Sequence, residues 1–62
     1  MNIIIIFTAG KPMDSRTECE AIRRMAYFKA TIFEALSSFE SYCTARFPQG
    51  SQIIITAIKI EI

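Results

Sequence analysis

Residue types that could do chemistry are few in this chain of 62 residues. Histidine is absent, which removes the commonest general base near neutral pH and the commonest transition-metal ligand. Its two cysteines, Cys19 and Cys43, lie far apart in the sequence and lack the close pairing of a zinc knuckle or a redox dithiol. We therefore predict no metal site, no cofactor and no enzymatic activity. Both thiols are expected to be reduced and to act as small apolar side chains.

Two other groupings give only weak signals. The segment Ala9-Gly10-Lys11 lacks the first glycine and the Ser/Thr of a phosphate-binding loop, so it predicts an ordinary turn. Arg16, Arg23 and Arg24 could contact nucleic acid, but Glu20 lies at ion-pairing distance from them along a helix, which favours a solvated face. With 7 Lys+Arg against 6 Asp+Glu, the chain also lacks the excess of basic residues that a phosphate-binding protein carries. Nucleic-acid binding is therefore the alternative function, not the preferred one.

A contact surface for another protein is the more favoured site. Arginine and aromatic side chains are enriched at the energetic centres of protein interfaces. Tyr27 falls on the predicted polar face of the helix, where the core does not need it, beside Arg23 and Arg24. We predict that these three residues bind a partner.

The elements that must position these residues are two strands and one helix. The β-branched run Ile3–Thr8 predicts the first strand, and Gln52–Ile62 predicts the second, whose alternation places Ile54, Thr56, Ile58, Ile60 and Ile62 on one face. Between them, Ser15 and Glu18 have the spacing of a capping box. An apolar stripe of helical period then runs without glycine or proline to Phe47, through Met25, Phe28, Ile32, Leu36, Phe39 and Cys43.

This order predicts an α/β fold: a single β-α-β domain over residues 1–62, with parallel strands, a right-handed crossover and the helix on one sheet face over Ile3, Ile5 and Phe7. A helix from Ser15 to Phe47 would be ~50 Å long, against ~23 Å for the first strand. Either the chain bends near Lys29-Ala30-Thr31, or the overhang packs on a second protomer.

Apolar residues on the other sheet face predict association. Ile4, Ile6, Ile53 and Ile55 would face water, and two strands alone do not make a stable sheet. A homodimer that joins edges or stacks faces would cover them, as would another protein.

Two charges within the apolar sector of the helix, Lys29 and Glu40, allow a second interface. They are either snorkelling side chains at its margin or reciprocal partners in an antiparallel helix pair, with the two-fold axis near Glu34 and Ala35.

The longest apolar run, Ile3–Phe7, is far shorter than the ~20 residues of a membrane-spanning helix, and it lacks the flanks of a signal peptide. Two isolated cysteines fit a reducing compartment. We therefore expect a cytoplasmic protein without a membrane partner.

The stretch Phe39-x3-Cys43-x3-Phe47-Pro48, followed by a polar turn and the strand Ile53–Thr56, resembles the DinI-like family of small bacterial and phage proteins. The opening strand, with a proline in the loop after it, is also similar. Members of that family modulate the RecA filament through an acidic C-terminal helix. This sequence reaches Ile62 without such a helix, so the resemblance implies a small phage or prophage regulator and transfers no RecA-binding residue.

Together these observations predict a small non-enzymatic regulator or inhibitor that binds a larger protein, such as a nucleic-acid-processing or defence complex of a phage host. A dimeric nucleic-acid-binding protein that uses Arg16, Arg23 and Arg24 stays the alternative. An enzyme would need a site assembled between two copies, which a sequence cannot reveal.

Overall fold

The computed structural model of the chain describes residues 1–10 and 21–62. Its elements are β1 (Asn2–Gly10), β2 (Arg23–Phe28), α1 (Ile32–Arg46) and β3 (Gln52–Glu61). The strands form one sheet in the order β2-β1-β3, and α1 packs on one face of it. The predicted α/β class, with a helix on one face of a small sheet, is confirmed, and the described part contains a third strand that was not predicted.

Strand direction differs from the prediction. β1 and β3 are antiparallel, with Asn2 opposite Glu61 and Gly10 opposite Gln52, so the predicted parallel pairing is wrong. β2 is also antiparallel to β1. Because β2 and β3 therefore run in the same direction, α1 does connect two parallel strands, but these are β2 and β3, and β1 lies between them.

The strand β2 occupies residues that were predicted to be helical. Met25 and Tyr27 are half-buried and alternate with exposed neighbours, which is the two-residue period of a strand. They lie opposite Ile5 and Ile3 of β1. Pairing with β1 therefore makes this segment a strand, although Met25 and Phe28 also fit a helical stripe. The predicted capping box at Ser15 and Glu18 lies outside the described residues.

The helix begins at a cap in the segment where a bend was expected. Thr31 is the N-cap: its Oγ1 accepts a hydrogen bond from the Glu34 N–H at 3.1 Å and donates one to Glu34 Oε1 at 3.2 Å. Before it, the N–H of Lys29 donates to the carbonyl of Met1 at 3.1 Å. With 15 residues, α1 is about 22 Å long, so it matches the sheet without the predicted overhang. No helix within residues 1–10 and 21–62 is long and apolar enough to span a membrane.

The core lies between β1 and α1. Ile3, Ile5 and Phe7 of β1 are buried with Ala35 and Phe39 of α1, which confirms the predicted inner face of β1. The rings of Phe7 and Phe39 meet edge to face, with centroids 4.7 Å apart. This contact holds α1 against the central strand β1.

A β-bulge in β3 changes which of its residues face the helix. Ile6 lies opposite Ala57 and Phe7 opposite Ile55, so Thr56 is the extra residue. The Thr56 hydroxyl donates to the Ile6 carbonyl at 3.2 Å. The bulge shifts the alternation of the strand by one position.

Because of this shift, one prediction is wrong: the alternate residues of β3 from Ile54 to Ile62 do not all share one face. Ile53 and Ile55 lie opposite Ala9 and Phe7 and share the helix side, whereas Ile54 points to the other face. Beyond the bulge, Ile58 and Ile60 lie opposite Ile5 and Ile3 and return to the helix side. Four isoleucines of β3 therefore face the side on which α1 packs.

Candidate protein-binding groove

An open groove of about 870 Å³ lies between α1 and β3. Its apolar lining consists of Leu36, Phe39, Cys43, Phe47, Ile53 and Ile55. Glu40 and Thr44 on the helix, with Gln49 and Ser51 after it, supply polar side chains at the margin. The groove is thus an apolar surface with a polar rim.

The groove exists because α1 does not cover β3. The helix approaches β2 more closely than β3, and its buried residue Ala35 packs in the core with β1. The helix side of β3 is left partly open: Ile55, Ile58 and Ile60 are 40%, 39% and 45% exposed. Ile58 and Ile60 thus continue the apolar floor along the strand beyond Ile55.

Phe47 forms one end of the groove and is held by several ring contacts. Its ring centroid lies 6.3 Å from that of Phe7 and 6.2 Å from that of Tyr42, both edge to face. The guanidinium carbons of Arg23 and Arg46 lie 5.1 Å and 5.6 Å from the same ring centroid. The contacts join the end of α1 to the start of β2, so this wall of the groove is preorganised.

A tight turn then returns the chain to the groove floor. Phe47 is extended, as a residue before proline prefers, and its N–H donates to the Cys43 carbonyl at 2.9 Å. The N–H and hydroxyl of Ser51 both donate to the Pro48 carbonyl, at 3.1 Å and 2.7 Å. Gly50 has φ +92°, a left-handed conformation that glycine adopts without strain. This turn places Ile53 beside the end of the helix.

Two titratable groups, Tyr27 on β2 and Cys43 on α1, are half-buried between the sheet and the helix. The Tyr27 hydroxyl is buried and has no hydrogen-bond partner among the described residues. Burial raises the pKa of this phenol, and the neighbouring Cys43 and Tyr42 add to the rise. Burial also raises the pKa of the Cys43 thiol. A free, half-buried Cys43 that stays protonated at neutral pH behaves as the expected small apolar side chain, while Cys19 lies outside the described residues.

These raised pKa values predict a loss of stability at alkaline pH. Cys43 and Tyr27 hold their protons more tightly in the folded protein than at their ordinary values of 9.0 and 10.0. The folded state therefore binds more protons than the unfolded state above about pH 9, so the free energy of unfolding falls as pH rises. Urea unfolding followed by circular dichroism between about pH 7 and 11 measures this fall.

The matched variant for this measurement is the double change Tyr27→Phe and Cys43→Ala, which removes both ionisations. Its free energy of unfolding should decrease less steeply above pH 9 than that of the original protein. Two parallel curves would show that neither group is linked to folding.

The residues predicted to bind a partner do not form one surface. Arg23 lies opposite Phe7 on the helix side of the sheet, whereas Arg24 lies opposite Ile6 on the other side. Tyr27 is half-buried against the core, which corrects its predicted place on a solvated helix face. Arg16, the third residue of the alternative nucleic-acid site, lies outside the described residues.

The four isoleucines predicted to share one exposed face of the sheet lie on two different faces. Ile4 is on the side away from α1 but is only 4% exposed, and Ile6 beside it is half-exposed. Ile53 and Ile55 are on the helix side instead, where they form the groove floor. The bulge at Thr56 is the reason for this division.

The predicted reciprocal contact of Lys29 with Glu40 loses its geometric basis. Lys29 precedes the N-cap and pairs with Met1 through its backbone, so it is not on the helix. Glu40 is on α1, at the rim of the groove. The two residues do not share a helical face.

Sequence reasoning missed the helix start and the second half of the groove floor. The signal for the helix start was present, because Thr31 and Glu34 have the same capping-box spacing as Ser15 and Glu18. The exposure of Ile58 and Ile60 on the helix side had no comparable signal, since it depends on where α1 lies across the sheet.

The fold and the groove together define a small α/β protein with an open helix–sheet surface. Comparisons of the chain with protein-family models, curated proteins and solved structures found no match. The resemblance to the DinI-like family therefore stays a prediction from the segments Phe39–Pro48 and Ile53–Thr56.

Proposed function

We propose that this protein is a small, cytoplasmic, non-enzymatic regulator that binds a larger protein through the groove between α1 and β3. The observation that carries the proposal is the open apolar groove itself, with a floor that continues along the exposed side of β3. Contiguous exposed apolar surface with a polar rim is typical of protein-interaction sites.

The occupant that fits this groove is an amphipathic helix of the partner. The floor consists of side chains on the face of β3, so it offers apolar contact and not the backbone hydrogen bonds that an added strand would need. With α1 as a wall of about 22 Å, three to four helical turns fit along it, with apolar anchors at positions i, i+4, i+7 and i+11.

Charge adds a further requirement on the occupant. Glu40 stands at the rim on the helix side, and Thr44 lies one turn further along α1. A partner helix with Lys or Arg beside its apolar stripe would place an opposite charge next to Glu40.

The resemblance to the DinI-like family supports a partner among the nucleic-acid-processing proteins of a phage host.

A defined peptide tests this proposal. The probe is a 15-residue helical peptide with leucine at the four anchor positions and lysine on both flanks of the stripe. We expect it to bind in fluorescence anisotropy and to shift the NMR signals of Leu36, Cys43, Ile53 and Ile55. A version with the same composition in scrambled order should not bind.

Two adjacent isoleucines provide a matched pair of variants. Ile55→Glu places a charge on the groove floor and should weaken peptide binding by about tenfold or more. Ile54→Glu changes a residue of similar exposure on the opposite face and should leave the affinity within about twofold. Equal affinities of the two variants, or signal shifts confined to the opposite face, would refute the groove as the binding site.

A further inference from the structure

The outer edge of β3 is the second unusual surface of the molecule. In the described part of the chain, β3 has β1 as its neighbour on one side and no strand on the other. The strand is ten residues long and contains no proline, and such an edge presents unpaired N–H and C=O groups to any extended chain. Its charged residues are Lys59 and Glu61, near one end.

We propose that two copies of the chain pair through this edge, with the two β3 strands antiparallel about a two-fold axis at Ile60. The product is a continuous six-stranded sheet. In this register Ile60 lies opposite Ile60 of the second copy, Ile58 opposite its Ile62, and Lys59 opposite its Glu61.

Charge complementarity selects this register. Within one chain, Lys59 lies opposite Ile4 and Glu61 opposite Asn2, so neither has an opposite charge across β1. In the dimer each Lys59 meets a Glu61, and symmetry makes this pair twice. Both residues are exposed on the sheet face away from α1.

Neighbouring registers are worse. Centring the axis on Lys59 or on Glu61 would place like charges directly opposite each other, which is unfavourable in a ladder. Centring it on Ile58 would place Lys59 opposite Ala57, without a charged partner. Centring it on Ile60 is the arrangement in this part of the strand that pairs both charges.

The helix side of the strand is complementary as well. Ile58 and Ile60 are exposed there, and Ile62, the residue after the end of β3, would continue the same alternation once paired. Pairing brings these apolar side chains together across the new ladder, with an isoleucine opposite each of them. Because the axis is perpendicular to the sheet, both copies of α1 lie on the same face, and the groove floor at Ile53 and Ile55 stays open in each copy.

Cross-linking by a single cysteine tests the axis position. In a Cys19→Ser, Cys43→Ala background, the Ile60→Cys variant should form a disulfide-linked dimer under mild oxidation, because Cα atoms of directly opposed residues are about 4.5–5.5 Å apart. Ile58→Cys is the matched control of similar exposure. Two copies of position 58 would be about 13 Å apart along the ladder, too far for a disulfide.

A charge exchange provides an independent test without cysteines. Lys59→Glu or Glu61→Lys alone should weaken self-association in sedimentation equilibrium by roughly tenfold or more, since each places two like-charged pairs in the ladder. The double variant restores opposite charges and should return the dissociation constant to within about threefold of the original.

The results separate this proposal from the binding function of the groove. Cross-linking at position 60 but not at 58, with rescue by the double variant, supports the dimer whether or not the helical peptide binds. A folded protein that stays monomeric at about 1 mM, equal cross-linking at both positions, or a double variant without rescue would overturn it.

Discussion

Replacing Phe39 with alanine is expected to leave a large fraction of the protein unfolded at 25 °C. Phe39 is 4% exposed, and its ring meets Phe7 in the centre of the core. Truncation of a buried phenylalanine typically costs about 3–5 kcal/mol. A single core in a domain of this length rarely supplies more than about 3–5 kcal/mol of stability, so the change removes half or more of it. Urea unfolding at one fixed protein concentration measures the loss.

The control for this variant is Phe33→Ala on the same helix. Phe33 is 79% exposed, so its replacement should change the free energy of unfolding by no more than about 0.5 kcal/mol. The two variants remove the same atoms from α1 and differ in what those atoms contact. A similar loss in both would mean that the contact with Phe7 is not the cause, because alanine has the higher helix propensity and the exposed Phe33 lacks that contact.

The second large effect is expected at Phe47, where Phe47→Ala should cost about 2–3 kcal/mol. The value is below that for a fully buried phenylalanine because Phe47 is half-buried. The ring is contacted by two aromatic rings and two guanidinium groups, so the variant removes several contacts at once. Because Phe47 also lines the groove, we expect the variant to bind the helical peptide more weakly even where it remains folded.

A double-mutant cycle isolates the cation–π part of this effect. Arg23→Gln should cost about 0.5–1 kcal/mol in the original protein, since its guanidinium lies 5.1 Å from the Phe47 ring centroid. The same change should cost close to nothing after Phe47→Ala. If Arg23→Gln costs the same in both backgrounds, Arg23 stabilises the protein through some other contact.

The sequence predicted the elements at both ends of the chain well, for a physical reason. The isoleucine-rich segments of β1 and β3 are β-branched and too short for helices, and both form strands. The end of α1 was also predictable, because a proline follows Phe47 and prevents the helix from continuing. These features depend on local sequence alone.

The middle of the chain could not be assigned locally. Met25 and Phe28 fit a helical stripe, while Met25 and Tyr27 fit a two-residue alternation, and six residues do not distinguish the two. The strand is decided by the ladder with β1, a tertiary contact. The Thr56 bulge is likewise set by pairing with β1, so the face of Ile53 and Ile55 was predicted wrongly.

The sequence predicted that the protein exposes apolar surface, but it did not predict where in the fold that surface lies. Excess apolar surface was expected on the sheet face away from the helix, whereas the open groove lies on the helix side. Its position depends on α1 lying nearer to β2 than to β3. No spacing in the sequence encodes that lateral shift.

The central place of β1 in the sheet has a consequence for how the chain folds during synthesis. β1 is complete once residue 10 has been added, but its ladder partner β3 ends at Glu61. At about 5–20 residues per second, translation of the residues between them takes roughly 2–10 s. During that interval the run Ile3–Phe7 lacks its second neighbour, and pairing over such long sequence separations is slow to form. Among the described strands the most apolar one is thus made before both of its ladder partners, so the nascent chain is most prone to aggregate before β3 arrives.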